Sequence, residues 1–470
     1  MVKKMNLSML LEEFIHVLFP YRKAIIGSTV TEKIRNGGSN MKRKALSAIL
    51  CMSMVFGCAT TVFAGEENET KTFDGEEISI LWVSNSTMDG INAVIEAAEE
   101  KLDIKISLEQ APGGEDGDNV VKTRLASGDM ADLLSYNCGS LLASLNPAEY
   151  FEDITADYAE KLDANFVTAA GVDGKLYGIP ATASQAGAVL YNIDMYEKYD
   201  LEVPKTWDEF IANCEVLKEA GETAVLGTDG DSWTSQVTYL GDHYNVLAAE
   251  PDFAAEFEAG KTKYVDSEAG LASFQKIEDL IPFLNKDHMA TTYDDGCDIM
   301  MEDGAAHWII LTSALSNMYE LYGEDVNKLG CFAVPGTDAE NNGLTVWEPN
   351  AIYMNKNSEH KEAVKAFMDF YISAEGLDVY TDAALPCGPY LVNGYELPEN
   401  CYTAVKQMQE NYFDTGLNAV ALEFQTAVKG SNCASICQEL ISGQTTAAEA
   451  AAKYDEDCKK QAVQLGLDWE

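Results

Sequence analysis

The stretch that decides the fold covers residues 172–192 and reads VDGKLYGIPATASQAGAVLYN. Its start, Asp173-Gly174, is typical of a tight hairpin turn. Residues 176–180 and 187–192 are apolar runs of the length that buried strands have. The stretch therefore predicts two strands that follow each other closely, with residues 181–186 between them.

Toward the N-terminus, strand and helix patterns alternate. ISILWV at residues 78–83 and the alternating IKISL at 104–108 predict strands, with helical spacing between them at 90–102. Residues 122–126 then lead, through a Ser-Gly-Asp turn, to the apolar pair Leu133-Leu134. Alternation at this pitch predicts an α/β fold with a largely parallel sheet.

Toward the C-terminus, helix signals dominate. Thr206 with Glu209, and Thr446 with Glu449, have the spacing of capping boxes that begin helices. Further helical patterns cover residues 208–220, 267–284 and 358–372. The sequence contains no internal repeat and no low-complexity segment, so it predicts an ordinary α/β protein of two or three lobes.

The N-terminal region carries processing signals. Residues 41–64 combine a basic start, an apolar run and a small-x-small ending, which is typical of a secretory signal peptide. We interpret residues 1–40 as a gene-model extension and residues 65–74 as an acidic linker. Cys58 ends a lipobox-like sequence, so the chain is either cleaved after Ala64 or lipidated at Cys58. Both outcomes place the protein outside the cytoplasm, in the second case anchored to the outer face of the membrane.

The composition limits the partners. The 470 residues include 77 acidic and 32 basic ones, a formal net charge of −45, which excludes nucleic acid by repulsion. Arg124 is the single arginine after residue 64, and guanidinium groups are the usual clamps for phosphates and carboxylates. Neutral or cationic ligands therefore fit better than anions. The cysteines are scattered and form no disulfide framework, and we interpret Cys433 and Cys437 as small buried residues.

Catalytic motifs are lacking. The sequence has no Gly-x-Ser-x-Gly elbow, no His-Glu-x-x-His and no P-loop. The histidines after the signal region are far apart, at His243, His288, His307 and His360. We therefore expect no enzyme, no metal and no cofactor. A secreted glycoside hydrolase remains the alternative from another functional class, since so acidic a chain holds carboxylate pairs at any spacing.

Several phrases, in one order, resemble the extracellular solute-binding proteins (family 1) of ABC importers, relatives of maltose-binding protein. They span about residues 75 to 455. The phrases are LASGDMAD at 125–132, DGKLYGIP at 173–180, YN at 191–192, PKTWDE at 204–209, VPG at 334–336, SG at 442–443 and TAAEA at 446–450. Each phrase is a turn or a cap and is weak by itself, whereas their joint order is specific.

The resemblance implies a two-lobe, Venus-flytrap α/β fold with crossover hinge strands, near residues 180–185 and twice after residue 345. It also implies that a ligand is captured between the lobes and delivered to the permease subunits of an ABC transporter. We expect a monomer that binds a neutral sugar or oligosaccharide, with a polyamine or another cationic small molecule as the alternative. The implied division is lobe 1 at 75–184 and 345–383, and lobe 2 at 185–344 and 384–470.

The resemblance places three groups of ligand contacts. Asn85 and Ser86 match the first ligand-contacting loop, and their polarity suits the hydroxyl edge of a sugar. Tyr136 and Asn137 follow the Leu133-Leu134 strand, where family members often carry a stacking aromatic. Gln185 matches a crossover position that hydrogen-bonds the sugar. The alternatives are a partly buried tyrosine at position 136 and a solvated hinge glutamine at position 185.

Two tryptophans outside that set are further candidates, because aromatic faces bind the C–H faces of sugar rings. Trp233 lies in a polar loop, where an exposed indole needs a reason. Trp347 is our first choice as a stacking residue, and Glu348 beside it could accept sugar hydroxyls or pair with a cation. One departure from the family is that residues 311–313 read Leu-Thr-Ser instead of Gly-x-Trp, with Trp308 inside the preceding strand. A maltose-like specificity is therefore not expected.

Overall fold

A computed structural model describes residues 72–84 and 88–469. The predictions for residues 1–64, including Cys58, lie outside the described residues, as do most of the linker and both Asn85 and Ser86. Within the described part, no helix is long and apolar enough to cross a membrane. The nine cysteines of that part are all free thiols, and eight of them are buried. The interpretation of Cys433 and Cys437 as small buried residues is confirmed.

The chain forms thirteen strands in the described residues. In chain order they are β1 (Glu76–Val83), β2 (Ile104–Ala111), β3 (Leu133–Tyr136), β4 (Gly171–Val172), β5 (Lys175–Leu176), β6 (Gly178–Pro180), β7 (Gln185–Asn192), β8 (Val225–Leu226), β9 (His307–Leu311), β10 (Leu329–Ala333), β11 (Leu344–Trp347), β12 (Ala351–Met354) and β13 (Asn418–Val420).

Twenty α-helices accompany these strands in the same part of the chain. They are α1 (Asp89–Leu102), α2 (Glu115–Ser127), α3 (Ser140–Ser144), α4 (Pro147–Tyr150), α5 (Thr155–Tyr158), α6 (Ala164–Ala169), α7 (Ile193–Lys198), α8 (Trp207–Glu219), α9 (Val237–Gly241), α10 (His243–Ala249), α11 (Phe253–Glu258), α12 (Glu268–Leu280), α13 (Tyr293–Met301), α14 (Ala314–Tyr322), α15 (Lys361–Tyr371), α16 (Ala374–Ala383), α17 (Thr403–Met408), α18 (Leu422–Gln425), α19 (Cys433–Ile441) and α20 (Ala447–Gln464).

The strands build two mixed sheets, one in each lobe. The sheet of lobe 1 has the order β2-β1-β3-β12-β6, with β1 parallel to β2 and β3 and with β12 antiparallel to both of its neighbours. The sheet of lobe 2 has the order β13-β11-β7-β9-β8, and β10 pairs with the second half of β7. A separate short hairpin, β4-β5, encloses the predicted Asp173-Gly174 turn. The predicted strands at 78–83, 104–108 and 187–192 are confirmed.

Each lobe buries its own apolar core. One cluster joins β1, β3, β6 and β12 to the inward faces of α1 and α15, and Ile80, Leu134 and Phe367 are among its fully buried members. Lobe 2 holds separate clusters on the two sides of β7 and an aromatic cluster beneath α19 and α20. The cores of the two lobes share no fully buried residue, which is the arrangement that hinge motion between lobes requires.

Three passages connect the lobes. Residues 181–184 join β6 to β7, residues 348–350 join β11 to β12, and residues 384–402 lead from α16 to α17. Strand β11 pairs with β7 and β13, so residues 345–347, which the sequence analysis assigned to lobe 1, belong to the sheet of lobe 2. The correction has a simple cause, since sheet pairing is a long-range property that three consecutive residues do not encode. The other predicted lobe boundaries stay a prediction.

Both predicted capping boxes are present, and one supports a stability test. At the start of α8, Thr206 Oγ1 accepts a hydrogen bond from the Glu209 backbone N–H, and Glu209 Oε2 accepts one from the Thr206 N–H, each at 3.3 Å. Thr206→Ala removes one acceptor, so we expect the free energy of unfolding to fall by about 1 kcal/mol in urea denaturation. Thr206→Ser keeps the acceptor and is the control. Equal stability of the two variants would contradict the capping role.

Candidate ligand-binding cleft

In each sheet, the ends of several strands point toward the other lobe. In lobe 1, Tyr136 at the end of β3 pairs with Ala351 at the start of β12, which pairs with Pro180 at the end of β6. In lobe 2, Gln185 at the start of β7 pairs with Trp347 at the end of β11. The connections between these strands are only three and four residues long, so the two sets of strand ends lie close together where the lobes join.

The passages that form the floor of this cleft are held by hydrogen bonds. The Ala181 N–H donates to the Asn350 carbonyl at 2.9 Å, and Asn350 Nδ2 donates to the Val83 carbonyl at 3.1 Å. Ser184 Oγ donates to the Pro389 carbonyl at 2.8 Å. The first passage is thereby tied to both of the others. In a two-lobe fold a rotation of the lobes passes through such connections, so we expect the hinge at these residues.

Trp233 lies in the loop that follows β8 in lobe 2. Strand β8 runs parallel to β9, and β9 runs antiparallel to β7, so the loop that follows β8 emerges at the same edge as Gln185. The indole of Trp233 at the end of this loop is 37% exposed. The loop itself is tightly bonded: the buried Asp229 carboxylate accepts from Ser235 Oγ at 2.5 Å and lies 2.7 Å from His288 Nδ1. An exposed indole on a rigid loop is the arrangement of a preformed contact surface.

Tyr136 is buried, whereas a stacking residue needs an exposed ring face. Its ring is fully buried in the core of lobe 1, and its hydroxyl donates to Asp118 Oδ1 at 2.7 Å. Burial, and then the Asp118 carboxylate, raise the pKa of this phenol far above its usual range. Asn137 is half-buried, and its carbonyl accepts from the Tyr353 hydroxyl at 2.9 Å. In this structure Tyr136 presents no free face to a sugar, and its contact role stays a prediction.

The hydroxyl of Tyr136 gives a second stability test. Tyr136→Phe leaves the ring in place and removes one charge-assisted hydrogen bond, so we expect the free energy of unfolding to fall by about 1–2 kcal/mol. Sugar affinity should change by less than about twofold, since the hydroxyl is turned toward Asp118. Denaturation and calorimetry on the same preparation check both statements. A large loss of affinity at unchanged stability would show that the hydroxyl serves the ligand.

Trp347 is turned partly into lobe 2. Its Nε1 donates to Glu423 Oε1 at 3.0 Å, and its ring, with Tyr239 and His243, lines a small interior pocket. The ring fits there because position 187 is a glycine, at which an added Cβ would lie 2.9 Å from Trp347 Cζ3. The indole is half-buried, so its use as a stacking platform stays a prediction.

A sequence profile of bacterial extracellular solute-binding proteins matches residues 84–378. The chain belongs to this family. A multiple sugar-binding protein of Streptococcus mutans is 25% identical to it over 317 residues, which are 64% of this chain and 71% of the relative.

Two solved structures show the same two-lobe fold. One is apo RafE from Streptococcus pneumoniae, with a TM-score of 0.68, 18% identity, and coverage of 84% of this chain and 100% of RafE. The other is a family 1 extracellular solute-binding protein from Bifidobacterium longum subsp. infantis, with a TM-score of 0.66, 21% identity and coverage of 82% and 100%. The predicted family and fold class are confirmed.

Glu348 of this solute-binding protein lies on the passage between the lobes and is 7% exposed. Its Oε2 is buried and has no hydrogen-bond partner among the described residues. Burial, and then the negative charge of Asp163, raise the pKa of this carboxyl to about 8. Cys138 and Asp163 of lobe 1 lie within electrostatic range of this side chain. Its contact with sugar hydroxyls or a cation stays a prediction.

The structure shows two contact residues that the sequence analysis missed. Tyr293, at the start of α13, packs on Trp233 with ring centroids 5.3 Å apart. Phe424 of α18 lies against Gly139, where an added Cβ would be 3.0 Å from the Phe424 Cα. Both contacts join segments that are far apart in sequence, so no local signal could have indicated them.

Proposed function

We propose that this solute-binding protein captures a neutral sugar or oligosaccharide between its lobes outside the cytoplasm and delivers it to the permease of an ABC importer. Family membership supports the binding role, and the names of the relatives support the sugar. The acidic, arginine-poor composition argues against anionic ligands. In this proposal the protein has no catalytic turnover, and ATP is hydrolysed by a separate subunit of the importer.

The observation that carries the sugar assignment is the exposed indole of Trp233 on its braced loop. A pyranose ring has C–H faces that pack on aromatic rings and hydroxyls that need neutral or acidic partners at its rim. Gln185 is half-buried at the same edge of lobe 2 and can offer an amide. From lobe 1, Asn137 and the pair Asn85-Ser86 are the proposed polar contacts.

The mechanism in this proposal is a hinge equilibrium. A sugar that touches Trp233 and Gln185 on one lobe and Asn137 on the other binds the closed form better than the open form. It therefore shifts the population toward closure by its differential affinity. The permease would then recognise the closed form. We also retain as predictions the monomeric state and the alternative of cleavage after Ala64 or lipidation at Cys58.

A thermal-shift panel on the purified protein tests the proposal. The panel contains galactose, melibiose, raffinose, stachyose, chitin oligosaccharides, spermidine, putrescine and amino acids. A sugar at about 100 times its Kd should stabilise the native state by about 2.7 kcal/mol, which is readily detected. A shift with polyamines alone would replace the sugar assignment by the cationic alternative. Hydrolysis of any oligosaccharide by the protein would overturn the binding-only role.

A further inference from the structure

Trp233 is the most exposed of three aromatic rings that contact one another in series, each pair in a tilted arrangement. Its ring centroid lies 5.3 Å from that of Tyr293, at an interplanar angle of 47°. Tyr293 in turn lies 5.5 Å from Trp308, at 44°. Trp308 is almost fully buried in β9, and its Nε1 donates to Thr228 Oγ1 at 3.3 Å. The exposed indole is therefore connected to the sheet of lobe 2 through one intermediate ring.

Tyr293 is itself held at both ends. Its backbone N–H donates to Asp231 Oδ2 at 2.7 Å, which ties α13 to the loop that carries Trp233. Its hydroxyl accepts from Asn317 Nδ2 at 3.0 Å. Thr292 before it closes a capping box with Asp295, so the first turn of α13 is well defined.

A glycine allows α13 to approach the sheet closely enough for this stack. At Gly296, an added Cβ would lie 2.6 Å from Thr228 Cγ2 and 2.8 Å from Trp308 Cζ2. Any larger residue there would push the helix, and Tyr293 with it, away from Trp308. The position of Tyr293 is thus set by the packing of α13 against the sheet as well as by its hydrogen bonds.

We propose that Tyr293 is a positioning residue that fixes the orientation of Trp233 for ligand stacking. The inference rests on the proposed function, because it assigns Tyr293 a role in the sugar site. Without the tyrosine ring, the indole loses its packing partner and gains rotational freedom, which binding must then remove. Ordering one such side chain weakens binding by about three- to tenfold.

The test uses the panel sugar that gives the largest thermal shift and measures its Kd by calorimetry. The proteins compared are the wild type, Tyr293→Phe, Tyr293→Ala, Trp233→Ala and the double variant Tyr293→Ala/Trp233→Ala. We expect Tyr293→Phe to stay within about twofold of the wild type, because it keeps the ring. Tyr293→Ala should bind about three- to tenfold more weakly. In the Trp233→Ala background, Tyr293→Ala should have no further effect, since a positioning residue acts only through the ring that it positions.

A second measurement needs no ligand. The fluorescence anisotropy contributed by Trp233, taken as the difference between each protein and its Trp233→Phe counterpart, should fall in Tyr293→Ala and stay high in Tyr293→Phe. If Tyr293→Ala does not fold, Tyr293→Leu takes its place in both experiments.

The outcomes separate the two proposals. Unchanged affinity and anisotropy in Tyr293→Ala would overturn the positioning role, and an equal loss of affinity with and without Trp233 would show direct contact instead. Absence of sugar binding by the wild type would overturn the proposed function, while the anisotropy would still report whether Tyr293 orients Trp233.

Discussion

Trp233→Ala is expected to weaken sugar binding by about 30-fold or more without unfolding the protein. Aromatic residues that supply a contact surface in a cleft commonly contribute 2 kcal/mol or more to binding, which corresponds to a factor of about 30 or higher. The indole is 37% exposed and contributes little to the core, so stability should fall by less than about 1 kcal/mol. Calorimetry gives the affinity and urea denaturation the stability.

Two control variants sharpen this experiment. Trp233→Phe keeps an aromatic face and should lose less than about tenfold in affinity. Leu321→Ala removes another exposed apolar side chain, on α14, and should leave affinity unchanged. A Kd for Trp233→Ala within twofold of the wild type would remove Trp233 from the site and, with it, the observation that carries the sugar assignment.

Glu348→Gln is expected to stabilise the protein, increasingly so as the pH rises. The pKa of this buried carboxyl is raised from 4.5 to about 8, so the folded state retains a proton that the unfolded state releases above pH 4.5. A raised carboxyl pKa means that the folded state is favoured at low pH and loses stability as the pH rises through the interval from 4.5 to 8. Glutamine stays neutral throughout and carries no such loss.

The size of the effect follows from the shift. Each unit of pKa shift corresponds to 1.36 kcal/mol. The difference in free energy of unfolding between Glu348→Gln and the wild type should therefore be about 4 kcal/mol larger at pH 8 than at pH 4. Asp163→Asn removes the negative charge near Glu348 and should partly reduce the pH dependence of the free energy of unfolding. Glu219 is exposed, so Glu219→Gln is the matched control and should leave the pH dependence of the free energy of unfolding unchanged.

Chemical denaturation of these variants at pH 5, 6, 7 and 8 measures the slopes. Parallel curves for Glu348→Gln and the wild type would mean that Glu348 is ionised in the folded protein at neutral pH. Its Oε2 would then require a donor, and the expected contact with sugar hydroxyls or a cation would regain support.

Local patterns were enough for much of the fold. The strands at 78–83, 104–108 and 187–192 were predictable because each is a short apolar run between turn residues. The capping boxes at Thr206 and Thr446 were predictable because capping involves residues only three positions apart. Trp233 was recognised as exposed because its neighbours in the loop are polar. Each of these properties depends on residues within one turn or one strand.

The sequence by itself therefore determined the α/β class, the family and the exposure of Trp233, whereas only the tertiary structure decided which candidate side chains are buried. Tyr136 is buried against Asp118, eighteen residues earlier, and Trp347 is packed on Gly187, 160 residues earlier. Glu348 is buried, with Cys138 and Asp163 of lobe 1 within electrostatic range. The physical reason is that burial is a sum over contacts brought together by the fold, and a side chain's own type and neighbours in sequence contain only a small part of that sum.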